Sequence, residues 1–262
     1  MKKTLLAMLV ILTFATSAFA GQSFLTAPSV GEGNWAVLGM YATNHNGAIA
    51  NAGDTNEMNP DVLDSNSIGV RGEYGMMKDL DLLVAYTFDT LPKIKGIDIT
   101  NEDGKQTSGT TVGLGVKYSL GTQSIPLIGT VVDTAVAGGY ESANAGVKST
   151  LTKTLSLTQT TMSIGYIVSK QMDNLMPYGA IAYKSLTQSY GKAAYDNLSG
   201  TALAFNIGCM IGIAKDQAIA VEYNTENQSY GAVAKSFGPI PAKDDAAGIN
   251  VSGISLGYVY MF

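Results

Sequence analysis

The feature that most restricts the fold of this chain is a two-residue alternation of side chains that recurs from about residue 30 to the end of the sequence. In the last stretch, large apolar residues occupy every second position and mostly small residues lie between them. The large residues are Ile254, Leu256, Tyr258, Tyr260 and Phe262. Because successive side chains of a strand point to opposite faces of a sheet, the pattern predicts strands with one apolar face. We predict ten strands, at 33–43, 66–76, 80–89, 108–120, 126–140, 156–169, 175–187, 200–214, 217–229 and 249–262.

The breaks between the predicted strands alternate in length. Short breaks follow the even-numbered strands. The longer breaks follow the odd-numbered strands, at 44–65, 90–107, 141–155, 188–199 and 230–248. Short turns at one rim and long loops at the other are typical of outer-membrane β-barrels. An even strand number then places both ends of the barrel on the periplasmic side, with the long loops outside the cell.

Hydrocarbon requires such a sheet to close on itself. Backbone N–H and C=O groups find no water in a bilayer core, and each unpaired group costs several kcal/mol, so open sheet edges are excluded there. A soluble two-sheet sandwich would not place aromatic residues at the ends of its apolar faces, as Tyr74, Tyr118 and Tyr166 are placed. We therefore predict an all-β protein: a closed, antiparallel, up-and-down transmembrane β-barrel of about ten strands, within a range of roughly 8 to 12.

Composition and charge exclude two other classes. Charged residues make up 14 % of the chain, well below the ~25 % of an ordinary soluble domain. A helical membrane protein needs runs of ~20 apolar residues, and one candidate run exists, at the N-terminus. The net charge of -5 argues against a nucleic-acid partner, because nucleic-acid-binding domains are usually basic.

The first twenty residues have the pattern of a secretory signal peptide. Two lysines follow the initiating methionine, and a run of ten mostly apolar residues follows them. The small residues Ala18 and Ala20 supply a cleavage motif. We predict a signal peptide at 1–20, cleaved after Ala20, and a barrel domain at 21–262.

The last ten residues resemble the C-terminal signal of bacterial outer-membrane proteins, with Tyr258, Tyr260 and Phe262 at its alternate positions. The whole mature chain resembles small outer-membrane barrels of the OmpA, OmpW and opacity-protein kind. This resemblance implies the outer membrane of a Gram-negative bacterium, with lipid and lipopolysaccharide around the barrel. It also implies the barrel-assembly machinery and periplasmic chaperones as partners during biogenesis. Because the sequence stops with the last predicted strand, we expect no peptidoglycan-binding domain of the OmpA kind.

The inward face of the predicted strands carries charged residues. They are Arg71, Glu73, Asp81, Asp89, Lys117, Asp133, Lys184 and Glu222, with Glu226 as a further candidate. Buried charges need partners, so we expect the basic side chains to pair with carboxylates. A ten-stranded barrel is narrow, so we expect side chains to fill its lumen. The predicted role is structural or surface-interacting, and the alternative is a narrow porin-like channel for ions or small solutes, in which the acid excess would favour cations. Uptake of hydrophobic ligands is a third possible function, and it would need a lateral opening between strands.

We expect neither catalysis nor a bound cofactor. Small outer-membrane barrels that are enzymes use a histidine as base or proton shuttle, whereas this chain has one histidine, His45, which no aspartate follows. The first long loop is acidic, with Asp54, Glu57, Asp61 and Asp64. Their spacing matches no calcium loop, so we predict no metal site. The long loops are the expected place for an extracellular ligand.

Overall fold

Ten antiparallel strands form one closed sheet in the computed structural model, which describes residues 25–49, 63–90, 108–125, 130–149, 152–190, 197–231 and 247–262. The strands are β1 (Trp35–Ile49), β2 (Leu63–Met77), β3 (Leu80–Thr90), β4 (Ser108–Ile125), β5 (Thr130–Ser149), β6 (Thr152–Ser169), β7 (Leu175–Tyr190), β8 (Leu198–Ala214), β9 (Gln217–Tyr230) and β10 (Ala247–Met261). The predicted closed, up-and-down, all-β barrel is confirmed. Across the described ranges, no helix is long and apolar enough to cross a membrane.

The first and last strands close the sheet. Tyr41 of β1 is in register with Leu256 of β10 on one side and with Ile68 of β2 on the other. Every other strand pairs with its two neighbours in sequence. Each strand therefore has hydrogen-bonding neighbours on both sides, and the described part of the sheet has no open edge of the kind that attracts further strands.

Burial alternates along the strands with the two-residue period of the sequence. On β3, Leu83 and Asp89 are buried, whereas Val84, Tyr86 and Phe88 are exposed. β9 shows the same alternation over its whole length. Because the sheet is a single layer closed on itself, a buried side chain on a strand lies inside the barrel. The inward and outward faces of each strand can thus be read from burial.

Turns at one end of the barrel are short. Residues 78–79 join β2 to β3, residues 170–174 join β6 to β7, and residues 215–216 join β8 to β9. Asp173 has a φ of 52° in the second of these turns. We call this rim the short-turn end and the opposite rim the long-loop end.

The sequence-based prediction of a third long loop at 141–155 is wrong. β5 extends to Ser149 and β6 begins at Thr152. Small and polar residues predominate in the sequence of this stretch, so it lacks the rows of large apolar residues by which the strands were predicted. Backbone pairing continues there regardless, supported by a 2.8 Å hydrogen bond from the Thr158 hydroxyl to the side-chain oxygen of Asn144.

Candidate functional site

The lumen at the short-turn end holds a piece of the chain itself. Residues 25–34, here called the N-terminal segment, precede β1, and Leu25 and Ala27 are fully buried. Both pack against inward-facing wall residues, namely Leu83, Ala135, Ala137 and Ile167. These contacts place the start of the N-terminal segment inside the barrel.

One buried lysine anchors the N-terminal segment to the wall. The Lys117 ammonium donates hydrogen bonds to the backbone carbonyls of Thr26, at 3.0 Å, and Pro28, at 2.7 Å. The same nitrogen lies 2.5 Å from a Glu73 carboxylate oxygen and 3.2 Å from one of Asp81. Four oxygen atoms thus surround one buried cation, so its charge is compensated and its donors are used, as burial requires. Lys117 joins the segment to β2, β3 and β4 at once.

Two further hydrogen bonds hold the segment. The Ser29 hydroxyl donates to Asp81 at 2.6 Å, and the Ala27 backbone N–H donates to the Ser169 hydroxyl at 3.1 Å. Val30 packs against an apolar cluster on the inner wall. The members of that cluster are Ala36, Leu38, Met40, Ala42, Ala85, Ala218, Ala220 and Val259. The short-turn half of the lumen is therefore lined mainly by small and apolar side chains, and the segment fills part of it.

A close backbone contact marks the place where the segment leaves the lumen. A Cβ atom added to Gly75 of β2 would lie 1.8 Å from the Gly31 carbonyl oxygen, so no larger residue fits without moving the segment. Gly33 N–H donates to the Gly75 carbonyl at 2.8 Å, and Gly75 N–H donates to the Asn34 carbonyl at 3.0 Å. Gly31 has a φ of 88°, a conformation that glycine adopts without strain.

Halfway along the barrel, charged side chains meet across the lumen. Arg71 of β2 interacts electrostatically with Glu73 and with Glu222 of β9. Glu222 accepts hydrogen bonds from the Tyr178 hydroxyl of β7, at 3.0 Å, and the Asn206 amide of β8, at 2.9 Å. Because β1 and β10 separate β2 from β9 in the sheet, the contact between Arg71 and Glu222 spans the interior, whereas Tyr178 reaches Glu222 along the wall, across β8.

A second network lies closer to the long-loop end. The Lys184 ammonium forms an ion pair with Glu226. Glu226 also accepts a 2.7 Å hydrogen bond from the Gln228 amide, and Gln228 accepts one of 2.9 Å from the Tyr230 hydroxyl. The Gln188 amide donates to Tyr230 at 3.3 Å. The network links β7 and β9 through buried polar side chains.

Asp89 lies apart from both networks. Its side chain is buried, and its two carboxylate oxygens accept hydrogen bonds from the hydroxyls of Ser67, at 2.6 Å, and Thr111, at 3.1 Å. Its described partners are thus neutral hydroxyls on the neighbouring strands β2 and β4.

The outer surface carries an apolar belt. On β10, the outward residues are between 38 % and 66 % exposed, and they are Ile254, Leu256, Tyr258, Tyr260 and Phe262. Toward the long-loop end, the outward row of β9 continues past the exposed Tyr223 to exposed Asn227 and Ser229. Aromatic rings pack together at the short-turn end, where Tyr260 and Phe262 meet edge to face at 4.7 Å. The outer wall is therefore apolar in its middle and near the short-turn end, and it becomes polar toward the long-loop end.

Comparison with known protein families connects this arrangement to one of them. A model described as a family of unknown function (DUF6588) matches residues 70–236. The chain belongs to the DUF6588 family. The matched range contains every charged lumen residue named above, while the N-terminal segment, β1 and β10 lie outside it.

Solved structures resemble the DUF6588 barrel at low identity, and no curated protein sequence matches it. The transport unit of the autotransporter AIDA-I from Escherichia coli is 13 % identical, with 100 % of this chain and 99 % of that chain covered and a TM-score of 0.46. Neisserial surface protein A is 13 % identical, with coverages of 88 % and 100 % and a TM-score of 0.37. Ail, the attachment invasion locus protein of Yersinia pestis, is 11 % identical, with coverages of 88 % and 99 % and a TM-score of 0.36.

The charged residues singled out in the sequence fall into four groups in the DUF6588 barrel. Those of the central network are Arg71, Glu73, Asp81, Lys117 and Glu222. Lys184 pairs with Glu226, and Asp89 stands alone with its hydroxyl donors. Asp133 is partly exposed near the short-turn end, where it accepts a 2.8 Å hydrogen bond from Thr122. The side chains of His45, Asp54, Glu57, Asp61 and Asp64 lie outside the described residues, as does the predicted signal peptide at 1–20.

Sequence reasoning missed two components of the DUF6588 lumen. The first is the N-terminal segment, for which Leu25 and Val30 were the available signal, because they are apolar but outside the alternation of the first strand. The second is the set of neutral hydrogen-bond partners, because nothing in the sequence distinguishes them from other polar residues on the strands. These partners are Tyr178, Gln188, Asn206, Gln228 and Tyr230.

Proposed function

We propose that this protein is a bacterial outer-membrane β-barrel with a structural or surface-interaction role and a closed lumen. The apolar belt supports the membrane part of the proposal. The outward row from Ile254 to Phe262 spans eight residue steps, which is about 26 Å along a strand at ~3.3 Å per residue. At the ~40° tilt usual for such barrels this gives a height of about 20 Å, and side chains at both ends bring it close to the ~25 Å apolar band of outer-membrane proteins.

The single observation that carries the closed-lumen proposal is the anchoring of the N-terminal segment by Lys117. The segment fills part of the short-turn half of the lumen, and the contact between Arg71 and Glu222 lies in the middle. A solute would have to displace both sets of contacts. A barrel of this strand number is also narrow, since eight strands leave room mainly for side chains.

Single-channel recording in planar lipid bilayers tests the closed lumen. We expect no reproducible conductance steps from the wild-type protein. Lys117→Met, which removes the anchor of the N-terminal segment, should show intermittent openings. Lys170→Met is the matched control, because Lys170 lies at the short-turn rim and bonds to the Thr130 hydroxyl instead of the segment, and it should remain silent. Reproducible open steps from the wild type would reject the closed lumen and favour the porin alternative.

The second candidate function is a narrow porin-like channel, which the excess of acidic side chains in the lumen favours. Among the described residues, the buried acidic side chains are Glu73, Asp81, Asp89, Glu141, Glu222 and Glu226, and the buried basic ones are Arg71, Lys117 and Lys184. A lumen with this acid excess would pass cations in preference to anions if the N-terminal segment moved aside. Reversal potentials across a salt gradient would measure this preference in any open state.

The remaining parts of the proposal concern location and partners. We propose that the signal peptide is cleaved after Ala20 and that lipid and lipopolysaccharide surround the belt. Periplasmic chaperones would deliver the chain to the barrel-assembly machinery, which would recognise Tyr258, Tyr260 and Phe262. The long loops are the proposed contact for an extracellular ligand, and neither catalysis nor nucleic-acid binding is part of the proposal. Hydrophobic-ligand uptake would need a gap between strands. N-terminal sequencing of protein from purified outer membranes tests both export and cleavage, with Gly21 as the expected first residue.

A further inference from the structure

The buried charges of the lumen are unevenly compensated. Lys117 forms ion pairs with Glu73 and Asp81, and Lys184 forms one with Glu226. The described residues place no basic side chain within ion-pairing distance of Asp89. An ionised carboxylate without a counter-charge is costly when it is buried, as Asp89 is. Something other than a described side chain must therefore supply a positive charge or a proton to Asp89.

Hydroxyl oxygens from three adjacent strands surround this carboxylate. Ser67 of β2 and Thr111 of β4 donate hydrogen bonds to its two oxygens. Thr87 precedes Asp89 by two residues on β3 and points to the same side. The Thr87 hydroxyl neighbours the carboxylate, is fully buried, and has no well-formed hydrogen bond. Ser65, two residues from Ser67 on β2, also has a buried hydroxyl without a partner.

We propose that Asp89 and the hydroxyls of Ser67, Thr87 and Thr111 form a binding site for one alkali cation, Na⁺ or K⁺. Hard cations prefer oxygen ligands of this kind. One carboxylate among neutral hydroxyls balances a single positive charge, whereas a divalent ion would leave a net charge buried. The unpartnered Thr87 oxygen supplies a lone pair that the ion would use. This site goes beyond the proposed function, because it requires no conduction through the lumen.

Thermal unfolding in different salts tests the site. The full mature protein, in a neutral detergent, is compared in NaCl, KCl and N-methylglucamine chloride at equal ionic strength. We expect Na⁺ or K⁺ to raise the melting temperature by a few degrees, with saturation as the cation is titrated. Asp89→Asn should abolish the cation-dependent part. Asp133→Asn is the matched control, because that carboxylate is partly exposed at the short-turn end, and it should keep the full cation effect.

A second variant and a direct measurement keep the test decisive if Asp89→Asn does not fold. Thr87→Val retains the carboxylate and removes one proposed ligand, so it should weaken the apparent cation affinity several-fold. Crystals soaked in a thallium(I) salt should show an anomalous peak beside Asp89. Equal melting temperatures in all three salts, or a cation effect that persists in Asp89→Asn, would overturn the site. A carboxylic-acid carbonyl band in infrared difference spectra between wild type and Asp89→Asn, recorded in Na⁺, would overturn it as well, since a proton would then compensate the charge.

Discussion

The Lys117 ammonium of β4 and the Pro28 carbonyl of the N-terminal segment, 89 residues apart in the chain, are joined by a 2.7 Å hydrogen bond. The bond ties a stretch without regular secondary structure to the inner wall of a closed sheet. Because the same ammonium also neutralises two buried carboxylates, the position of the N-terminal segment and the charge balance of the lumen depend on one side chain. A change at Lys117 is therefore expected to alter both the stability of the barrel and the blockage of its lumen by the N-terminal segment.

Lys117→Met should destabilise the barrel by about 3–5 kcal/mol, since removing one partner leaves buried carboxylates uncompensated. Unfolding by urea in lipid vesicles, followed by the gel-mobility difference between folded and unfolded barrel, measures the loss. Lys170→Met is the control and should cost less than about 1 kcal/mol, because its partner is a hydroxyl at the rim. Similar costs for both variants would contradict the anchoring role of Lys117.

Gly75→Ala should expel the N-terminal segment, because the new methyl group would overlap the Gly31 carbonyl oxygen. The measurement uses Ala27→Cys in a Cys209→Ser background and a bulky maleimide reagent. Ala27 is fully buried, so its cysteine should be unreactive until Gly75→Ala is added. Gly39→Ala is the control, since a Cβ there meets open space. Rapid labelling without Gly75→Ala would show that the segment does not stay in the lumen.

Tyr178→Phe should cost about 1.5–3 kcal/mol, the usual range for a hydrogen bond to a charged group. The lost bond is the 3.0 Å contact with Glu222 in the middle of the lumen. Tyr183→Phe is the matched control on the same strand, because Tyr183 is outward and 54 % exposed, and its cost should stay within about 0.5 kcal/mol. Urea unfolding of both variants provides the comparison, and an equal loss of free energy of unfolding in Tyr183→Phe would reject a stabilising role for the bond between Tyr178 and Glu222.

Leu114→Arg should cost about 2–4 kcal/mol if the apolar belt faces lipid as proposed, because a charge at the middle of such a belt is unfavourable. Leu114 is 57 % exposed and lies in register with Val84 and Tyr140 on the neighbouring strands. Asn227→Arg places the same charge on the outward face nearer the long loops and should cost only ~0–1 kcal/mol. The two free energies of unfolding, measured in lipid vesicles, should differ in that order; equality would mean that the belt does not face hydrocarbon.

The strands were predictable because the environment proposed for this barrel imposes a period of two on each of them. That period is visible in rows such as Val112, Leu114 and Val116. Such a strand can be recognised without knowing which strands it pairs with. The extension of β5 to Ser149 was not predictable in the same way. Backbone hydrogen bonding maintains a strand even where no row of large apolar residues is present, and such a strand leaves no apolar pattern to recognise.

The candidate site was only partly accessible from the sequence. The alternation indicates on which face of its strand a charged residue lies. Its ion-pair or hydrogen-bond partner, however, depends on how the closed sheet brings distant strands together. Arg71 interacts with Glu222, on a strand that is not its neighbour. The hydrogen bond from Lys117 to Pro28 is likewise a tertiary contact. No local pattern encodes either pairing, because both arise only after the barrel has closed.

The most direct test of the membrane-spanning barrel is a spin-label scan of β10 in lipid bilayers, with labels placed one at a time from Gly253 to Tyr260. We predict that accessibility to oxygen, which concentrates in hydrocarbon, alternates with a period of two and is high at Ile254, Leu256 and Tyr258. A water-soluble nickel reagent should reach these three positions poorly. Oxygen accessibility without alternation, or strong collision with the nickel reagent at Leu256, would contradict a barrel whose apolar outer face meets lipid.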